Sequence, residues 1–318
     1  MTAGALDSIA DVLAARLGAA VERDAPSAPL TTYRCGGPIS VLVRAGTEDD
    51  VRAVAAVVAG RADVPVLVVG RGSNLLVADH GFAGVAVVLG SGALDRVEID
   101  RAAGRVDAGA AAALPVVARQ SAKAGLTGLE FYVGIPGSVG GAVRMNAGGH
   151  GAETAGVLRV ARLVDLDDPG APVREVAAAA LGLGYRRSGL GPRQVVVGAT
   201  FAASADDPAA CEQRIDEIVR WRREHQPGGQ NAGSVFVNPE GDAAGRLIED
   251  CGLKGTRVGG AVVSEKHANF FVAEPGARAD DVIALIELVR ARVEAETGVR
   301  LATELQIVGR SATQEARP

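Results

Sequence analysis

The run Gly128-Leu-Glu-Phe-Tyr-Val-Gly-Ile-Pro-Gly-Ser-Val-Gly-Gly-Ala-Val-Arg-Met-Asn-Ala-Gly-Gly-His-Gly151 sets glycines among apolar residues at a density that ordinary core elements do not carry. Glycine loses more backbone entropy on folding than other residues and brings no side chain to pack. Its repeated use therefore implies positive φ, or main-chain N–H groups brought close to a flat or phosphorylated ligand. A string of tight turns is the plainer alternative. Upstream, the strand-like run Val66-Leu-Val-Val69 feeds a second loop, Gly70-Arg-Gly-Ser-Asn-Leu75, in which two glycines free the backbone and Ser73 and Asn74 add polar side chains. This loop has the outline of a phosphate cradle. It is not the dinucleotide fingerprint, because Leu75 stands where the third glycine belongs and no amphipathic helix follows; a Gly-Lys-Ser/Thr phosphate loop is also absent. Two such loops in one chain point to a large phosphate-bearing ligand.

At 318 residues the chain is long enough for two or three domains with substantial cores. With 48% hydrophobic and 22% charged residues, a net charge of -5 and no basic run interleaved with aromatics, it is not expected to bind nucleic acid. Residues Met1 to Leu30 carry Asp7, Asp11, Arg16, Glu22 and Asp24 and no long apolar run, so no signal peptide is expected. No segment approaches the ~20 apolar residues of a membrane span, so no membrane partner is expected either. Cys35, Cys211 and Cys251 are odd in number and far apart, which favours a reducing cytoplasm over a disulfide framework. The histidines His80, His150, His225 and His267 stand singly, without metal-ligand spacing, and no metal is expected.

Leu6, Ile9, Leu13 and Leu17 recur at helical spacing before Gly18, and Thr47-Glu-Asp-Asp50 has the capping-box pattern ahead of Val51, Val54 and Val58. Val85–Leu89 continues a small α/β unit. From about residue 91 the pattern turns to strands, Leu94–Asp100, Arg105–Ala108, Val157–Asp167 and Val195–Ala203, interrupted by a helix over Leu114–Ala124. Pro208 starts a helix through Ile215, Ile218 and Trp221. Short strands follow at Val235–Val237 and Asn269–Val272, then a long helix over Ala279–Thr297. Val299–Val308 alternates with period two, putting Leu301, Thr303, Leu305 and Ile307 on one face and Glu304 on the other. The residues after Gly309 are polar and are expected to be disordered.

In order along the chain stand Thr32-Tyr-Arg-Cys-Gly-Gly37, Gly70-Arg-Gly-Ser-Asn-Leu-Leu76, Gly128-Leu-Glu130, Gly134-Ile-Pro-Gly137, Gly140-Gly-Ala142, Met145-Asn-Ala-Gly-Gly149, Tyr185-Arg-Arg-Ser188, Ala232-Gly-Ser-Val-Phe236, Ser264-Glu-Lys-His-Ala-Asn-Phe270 and Glu304. Together they resemble the UDP-N-acetylenolpyruvoylglucosamine reductase family of bacterial cell-wall synthesis, from about Thr31 to Gly309. The sequence departs from the family pattern at Thr31, where Asn is common, at Val237, where Lys is frequent, and at Ala273, where Asn is often found. Val237 removes a cationic contact to the substrate diphosphate. The short spacing after Ser188 and from Ala203 to Gly233 looks like the family's variant without an extra tyrosine-bearing substrate loop.

The resemblance implies an α+β chain: an FAD-binding fold of the vanillyl-alcohol oxidase type in two subdomains, plus a C-terminal α/β substrate-binding domain. The expected bounds are 1–90 for the first FAD subdomain, with strand 299–310 returning to it, 91–203 for the second, 204–298 for the substrate domain, and 311–318 for the tail. It implies FAD as cofactor, NADPH and the UDP-N-acetylglucosamine enolpyruvate as partners, and a cytoplasmic monomer; no ribose 2′-phosphate site is legible, so the nicotinamide rests on the resemblance. Reduction of an enolpyruvyl double bond leaves charge delocalised into the carboxylate, so the protein must stabilise an enolate and protonate a carbon. Carried over residue by residue, Ser234 is the proton donor, Arg186 the clamp on the carboxylate and Glu304 a support of the anion, which burial would help keep protonated. Gly70, Gly72, Ser73, Asn74 and Leu75 fall near the FAD diphosphate. Gly134, Ile135, Pro136, Gly137, Gly140, Gly141, Asn146, Ala147 and Gly148 fall along the diphosphate and flavin. Tyr185, Asn238 and Lys266 are the substrate contacts. The rival readings are another FAD oxidoreductase of the same fold, which a covalent flavin on His80 or His150 would favour, and a non-catalytic UDP-sugar sensor, which would need no proton donor.

Overall fold

In the computed structural model residues 3–309 are described, apart from Pro169 and Ala171; the expected tail at 311–318 lies outside them. The fold is α+β, and contacts gather it into two interleaved compact units. One comprises residues up to Asp24, Ser40–Arg71 and Gly84–Trp221, and the other Ala25–Ile39, Gly72–Ala83 and the chain from Arg222 onward.

The first unit is built on an antiparallel five-stranded sheet of order Arg174–Ala177, Leu158–Asp165, Gln194–Ala202, Arg105–Gly109, Val97–Asp100. Its central strand, Gln194–Ala202, is buried at six of its nine positions, Val195–Ala199 without a break, as an apolar run covered on both faces should be. A four-stranded sheet orders Val21–Pro26, Pro38–Ala45, Phe82–Leu89 and Val66–Val69, the last two parallel, with Val66 opposite Val85. Helix Glu48–Val58 starts where the sequence says it must. Thr47 Oγ1 accepts from Asp50 N at 3.1 Å and Asp50 Oδ2 accepts from Thr47 N at 2.9 Å, while Val51, Val54 and Val58 turn into the core.

Within the glycine-rich segment Glu130–Gly134 forms a 3₁₀ turn and Val139–Met145 an α-helix, elements that its glycine density does not foretell. Val139 N donates to Ala112 O at 3.0 Å and Gly140 N to Ala110 O at 2.8 Å, so the helix entrance pairs with the chain that follows strand Arg105–Gly109. A Cβ on Gly140 would stand 3.0 Å from Ala110 Cβ and 3.5 Å from Val196 O. The absence of a side chain at Gly140 lets the helix lie directly on the sheet.

The second unit packs helix Ala279–Thr297, with Val282, Leu285, Ile286, Val289 and Val293 buried, against the antiparallel sheet Arg257–Val258, Ala261–Val263, Phe271–Ala273. Gln306–Val308 pairs in parallel with Leu75–Val77. The strand expected over Val299–Val308 is thus confined to its last three residues. Leu301 and Leu305 are still buried, but Glu304 and Leu305 donate their N–H groups to one acceptor, Val235 O, which breaks a regular ladder. Residues 235–237 are likewise no strand, and only isolated bridges join Ser234 to Phe270 and Phe236 to Thr303.

A distant carboxylate caps the long helix. Asp79 Oδ1 accepts from Ala279 N at 3.2 Å, and Oδ2 accepts from Asp280 N at 3.0 Å and Arg278 Nε at 3.2 Å. Removing a cap of this kind costs about 0.5–2 kcal/mol. Asp79→Ala should lower the unfolding free energy read from urea titration by that amount while Asp79→Asn retains most of it; equal losses in the two variants would show that charge, not hydrogen bonding, is what Asp79 contributes.

Candidate active site

In the first unit, Arg186 sits on a two-residue reversal. Gly184 N donates to Arg187 O at 3.0 Å and Arg187 N to Gly184 O at 3.1 Å, which thrusts Tyr185 and Arg186 outward. Arg186 adopts φ +55°, a left-handed conformation that costs a side-chain-bearing residue about 1–2 kcal/mol. Its guanidinium lies 5.0 Å from the centre of the Tyr185 ring, and Nη2 donates to Gly148 O at 3.0 Å. Tyr185 itself is 53% exposed. A planar fork held in this way suits bidentate capture of a carboxylate.

The loop that follows helix Val139–Met145 holds this turn from below. Asn146 ends the helix at φ +42° and is fully buried; its Nδ2 donates to Gly184 O at 3.0 Å and its Oδ1 accepts from Ala155 N at 2.8 Å. Its amide therefore braces the Tyr185–Arg186 turn. Ala147 O accepts from Thr154 Oγ1 at 2.8 Å, and Thr154 accepts in turn from the buried Tyr132 hydroxyl at 3.0 Å. Glu130, though a buried carboxylate beside the glycine segment, is a lock. Burial pushes its pKa up, but hydrogen bonds from Thr127, Gly128 and Arg214 outweigh that and leave it below the usual range.

In the second unit Ser234 and Glu304 are brought together across Val235, whose carbonyl accepts from Glu304 N at 2.8 Å. Asn74 fixes the other side of Glu304: its Nδ2 donates to Glu304 O at 3.0 Å, and Gln306 N donates to Asn74 O at 3.1 Å. The Asn74 side chain thus reaches the C-terminal segment. Ser234 follows Gly233 at φ +75° and is half-buried. Of the expected substrate contacts, Asn238 Oδ1 accepts from Ala244 N at 3.0 Å and Lys266 Nζ donates to Arg223 O.

Among the buried hydroxyls with no hydrogen-bond partner among the described residues are Ser138 in the first unit and Thr31 and Thr32 in the second. Leaving such a group unmatched costs about 1–3 kcal/mol, so each is a place where water or a polar ligand would be favoured. Ser138 faces Gly70, where an added Cβ would stand 2.3 Å from its Oγ. Thr31 and Thr32 adjoin Gly72, where an added Cβ would stand 1.8 Å from Leu30 O and 2.9 Å from Thr31 Cα. Bare backbone beside unmatched donors fits the diphosphate and hydroxyls of FAD. The sequence reading named both glycines and missed the three hydroxyls, although Ser138 lies inside the segment it singled out.

Fold and site together define an FAD-binding protein, and residues 39–167 match the model of an FAD binding domain. Residues 225–308 match that of the UDP-N-acetylenolpyruvoylglucosamine reductase C-terminal domain. Proteins of that name from Geobacter sulfurreducens and Heliobacterium modesticaldum are 44% and 42% identical, the first over 94% of this chain and 99% of its own length, the second over 91% of each. The solved UDP-N-acetylenolpyruvylglucosamine reductase of Thermus caldophilus superposes with a TM-score of 0.77 at 36% identity, over 90% of this chain and 98% of that one. The chain belongs to the UDP-N-acetylenolpyruvoylglucosamine reductase family. Among the described residues no helix is long and apolar enough to cross a membrane.

Two measurements probe this geometry. Asn146→Ala leaves Gly184 O and Ala155 N unmatched and puts alanine in a left-handed conformation, so the urea midpoint should fall by an amount equivalent to about 2–4 kcal/mol. Asn146→Gly, which relieves only the backbone, should regain about 1 kcal/mol of that; no difference between the two would remove the strain argument.

The second concerns His267, whose Nδ1 accepts from Asn269 N at 3.2 Å and whose pKa is lowered, chiefly by burial. The unfolded chain takes up this proton first, near pH 6.5, so the folded state loses stability as pH falls from about 6.5 toward the lower folded value. The pH slope of stability between 7 and 5.5 should be shallower in His267→Gln; identical slopes would sink the assignment.

Proposed function

We propose that this chain reduces the enolpyruvyl double bond of UDP-N-acetyl-3-O-(1-carboxyvinyl)-glucosamine to give UDP-N-acetylmuramate, with NADPH as electron donor. The observation that carries the reading is the pairing of Ser234 with Glu304 around one carbonyl in the second unit, together with a strained Arg186 in the first. FAD, when bound, supplies the two-electron hydride chemistry that no side chain here can. Arg186 binds the substrate carboxylate through its fork and so stabilises the charge that accumulates there as the double bond is reduced. The Ser234 hydroxyl hands its proton to the carbon next to that carboxylate. Glu304, held on both sides through its main chain, orients the anion's surroundings. Tyr185, Asn238 and Lys266 contact the UDP-sugar, and the main chain at Gly70–Leu75, Gly134–Gly141 and Asn146–Gly148 contacts FAD. We read the enzyme as a cytoplasmic monomer; the free Cys35, Cys211 and Cys251 are in keeping with a reducing compartment.

The test separates two half-reactions. The purified protein should carry a yellow chromophore that acid releases, and NADPH should bleach it. In Ser234→Ala the bleaching rate should remain near wild type, whereas reoxidation by the enolpyruvyl substrate should slow by ~10²–10⁴, the usual worth of a positioned general acid. Reoxidation of Ser234→Ala at the wild-type rate would remove Ser234 as donor and shift the role to Glu304.

A further inference from the structure

The turn Ser264-Glu-Lys-His-Ala-Asn-Phe270 closes on itself. Ser264 Oγ accepts from Lys266 N at 3.1 Å and His267 N at 3.4 Å, Phe270 N donates to His267 O at 3.0 Å, and Ser264 N donates to Phe270 O at 2.9 Å. This closure delivers one polar side chain into the interior. Asn269 is 2% exposed, and its amide does what a neighbouring strand would do: Oδ1 accepts from Phe236 N at 2.9 Å and Nδ2 donates to Phe236 O at 2.8 Å. Its main-chain carbonyl also accepts from Val235 N at 2.9 Å. One residue therefore holds three of the four backbone N–H and C=O groups of the two residues after Ser234, the fourth, Val235 O, being taken by Glu304 and Leu305, in a segment that belongs to no regular strand.

We propose that Asn269 is a positioning residue for proton transfer: through the main chain of Val235 and Phe236 it sets where the Ser234 hydroxyl points. The inference rests on the reading of Ser234 as donor. No other side-chain type fits the duty. Aspartate keeps an acceptor for Phe236 N but sets a carboxylate against Phe236 O, alanine leaves both groups unmatched in the interior, and glutamine is longer by a methylene. A donor must lie within hydrogen-bond reach of the carbon it protonates, and a misplacement of about 1 Å can cost ~10²-fold in rate.

The experiment compares holoenzyme carrying Asn269→Asp, Asn269→Ala, Ser234→Ala and the double variant Ser234→Ala/Asn269→Asp. Should Asn269→Ala fail to fold, the near-isosteric Asn269→Asp alone carries the test. Flavin bleaching by NADPH should stay near wild type in Asn269→Asp, while reoxidation by the enolpyruvyl substrate slows by ~10²-fold with little change in the substrate concentration at half-saturation. In the protein without substrate, amide exchange at Val235 and Phe236 should accelerate. In the double variant reoxidation should be hardly slower than in Ser234→Ala, because a residue that acts through Ser234 has nothing left to position. Additive effects, equal slowing of both half-reactions, or an unchanged reoxidation rate would overturn the proposal and leave Asn269 a packing residue. If instead wild-type flavin is not reoxidised by the enolpyruvyl substrate, or Ser234→Ala reoxidises normally, the functional reading itself falls and takes this inference with it.

Discussion

The parallel pairing of Gln306–Val308 with Leu75–Val77, reinforced by the Asn74 amide on Glu304 O, is the constraint on which the second unit depends. It ties together segments more than two hundred positions apart, and closing so long a loop carries an entropic cost that grows only slowly with length. What the closure secures is specific. With Gln306 fixed opposite Leu75, Glu304 is placed where its N–H reaches Val235 O, and Ser234 is then its neighbour across that carbonyl. The loop predicted as a phosphate cradle is the same loop that anchors Glu304. On the proposed reading, one short stretch of backbone would serve both the cofactor and the placement of Ser234 and Glu304.

A second theme is that irregular backbone at the site is held by side chains standing in for secondary structure. Asn269 replaces a strand partner for Phe236, Asn146 joins Gly184 O to Ala155 N, and Asp79 supplies the cap that helix Ala279–Thr297 lacks locally. Each satisfies main-chain groups that would otherwise be buried without partners, a penalty of about 1–3 kcal/mol apiece. Short amides and carboxylates suit the task, because they present donor and acceptor at main-chain spacing. The strain at Arg186 and Asn146 persists because these bonds over-determine the loops that contain them.

The glycines divide into two kinds that a sequence cannot tell apart. Gly70 and Gly72 lie beside hydroxyls that have no partner among the described residues, whereas Gly140 does not; at all three an added Cβ would meet the protein's own atoms, Ser138 Oγ, Leu30 O and Ala110 Cβ. The physical need is the same, close approach of two backbones or of backbone and ligand, so composition alone signals the approach without naming the partner.

The sequence by itself determined the helices with strong periodicity and caps, the apolar central strands, the two glycine-rich loops, and the resemblance that named FAD and the enolpyruvyl substrate class. Helix Glu48–Val58 begins at Thr47 because its capping box is local, and Ala279–Thr297 ends before Gly298 because that residue adopts φ +74°. Tertiary structure alone decided the rest. That Val139–Met145 is helical follows from its burial against the sheet, which overrides a glycine content hostile to helices. The alternation in Val299–Val308 foretold which faces are buried, but the strand was cut short because Val235 O accepts from both Glu304 and Leu305. The contacts of Asn146 and Asn269, and the unmatched hydroxyls of Ser138, Thr31 and Thr32, were illegible for the same reason. Each depends on what distant chain lies, or does not lie, within hydrogen-bond reach of one polar atom, and no local pattern of residues encodes that distance.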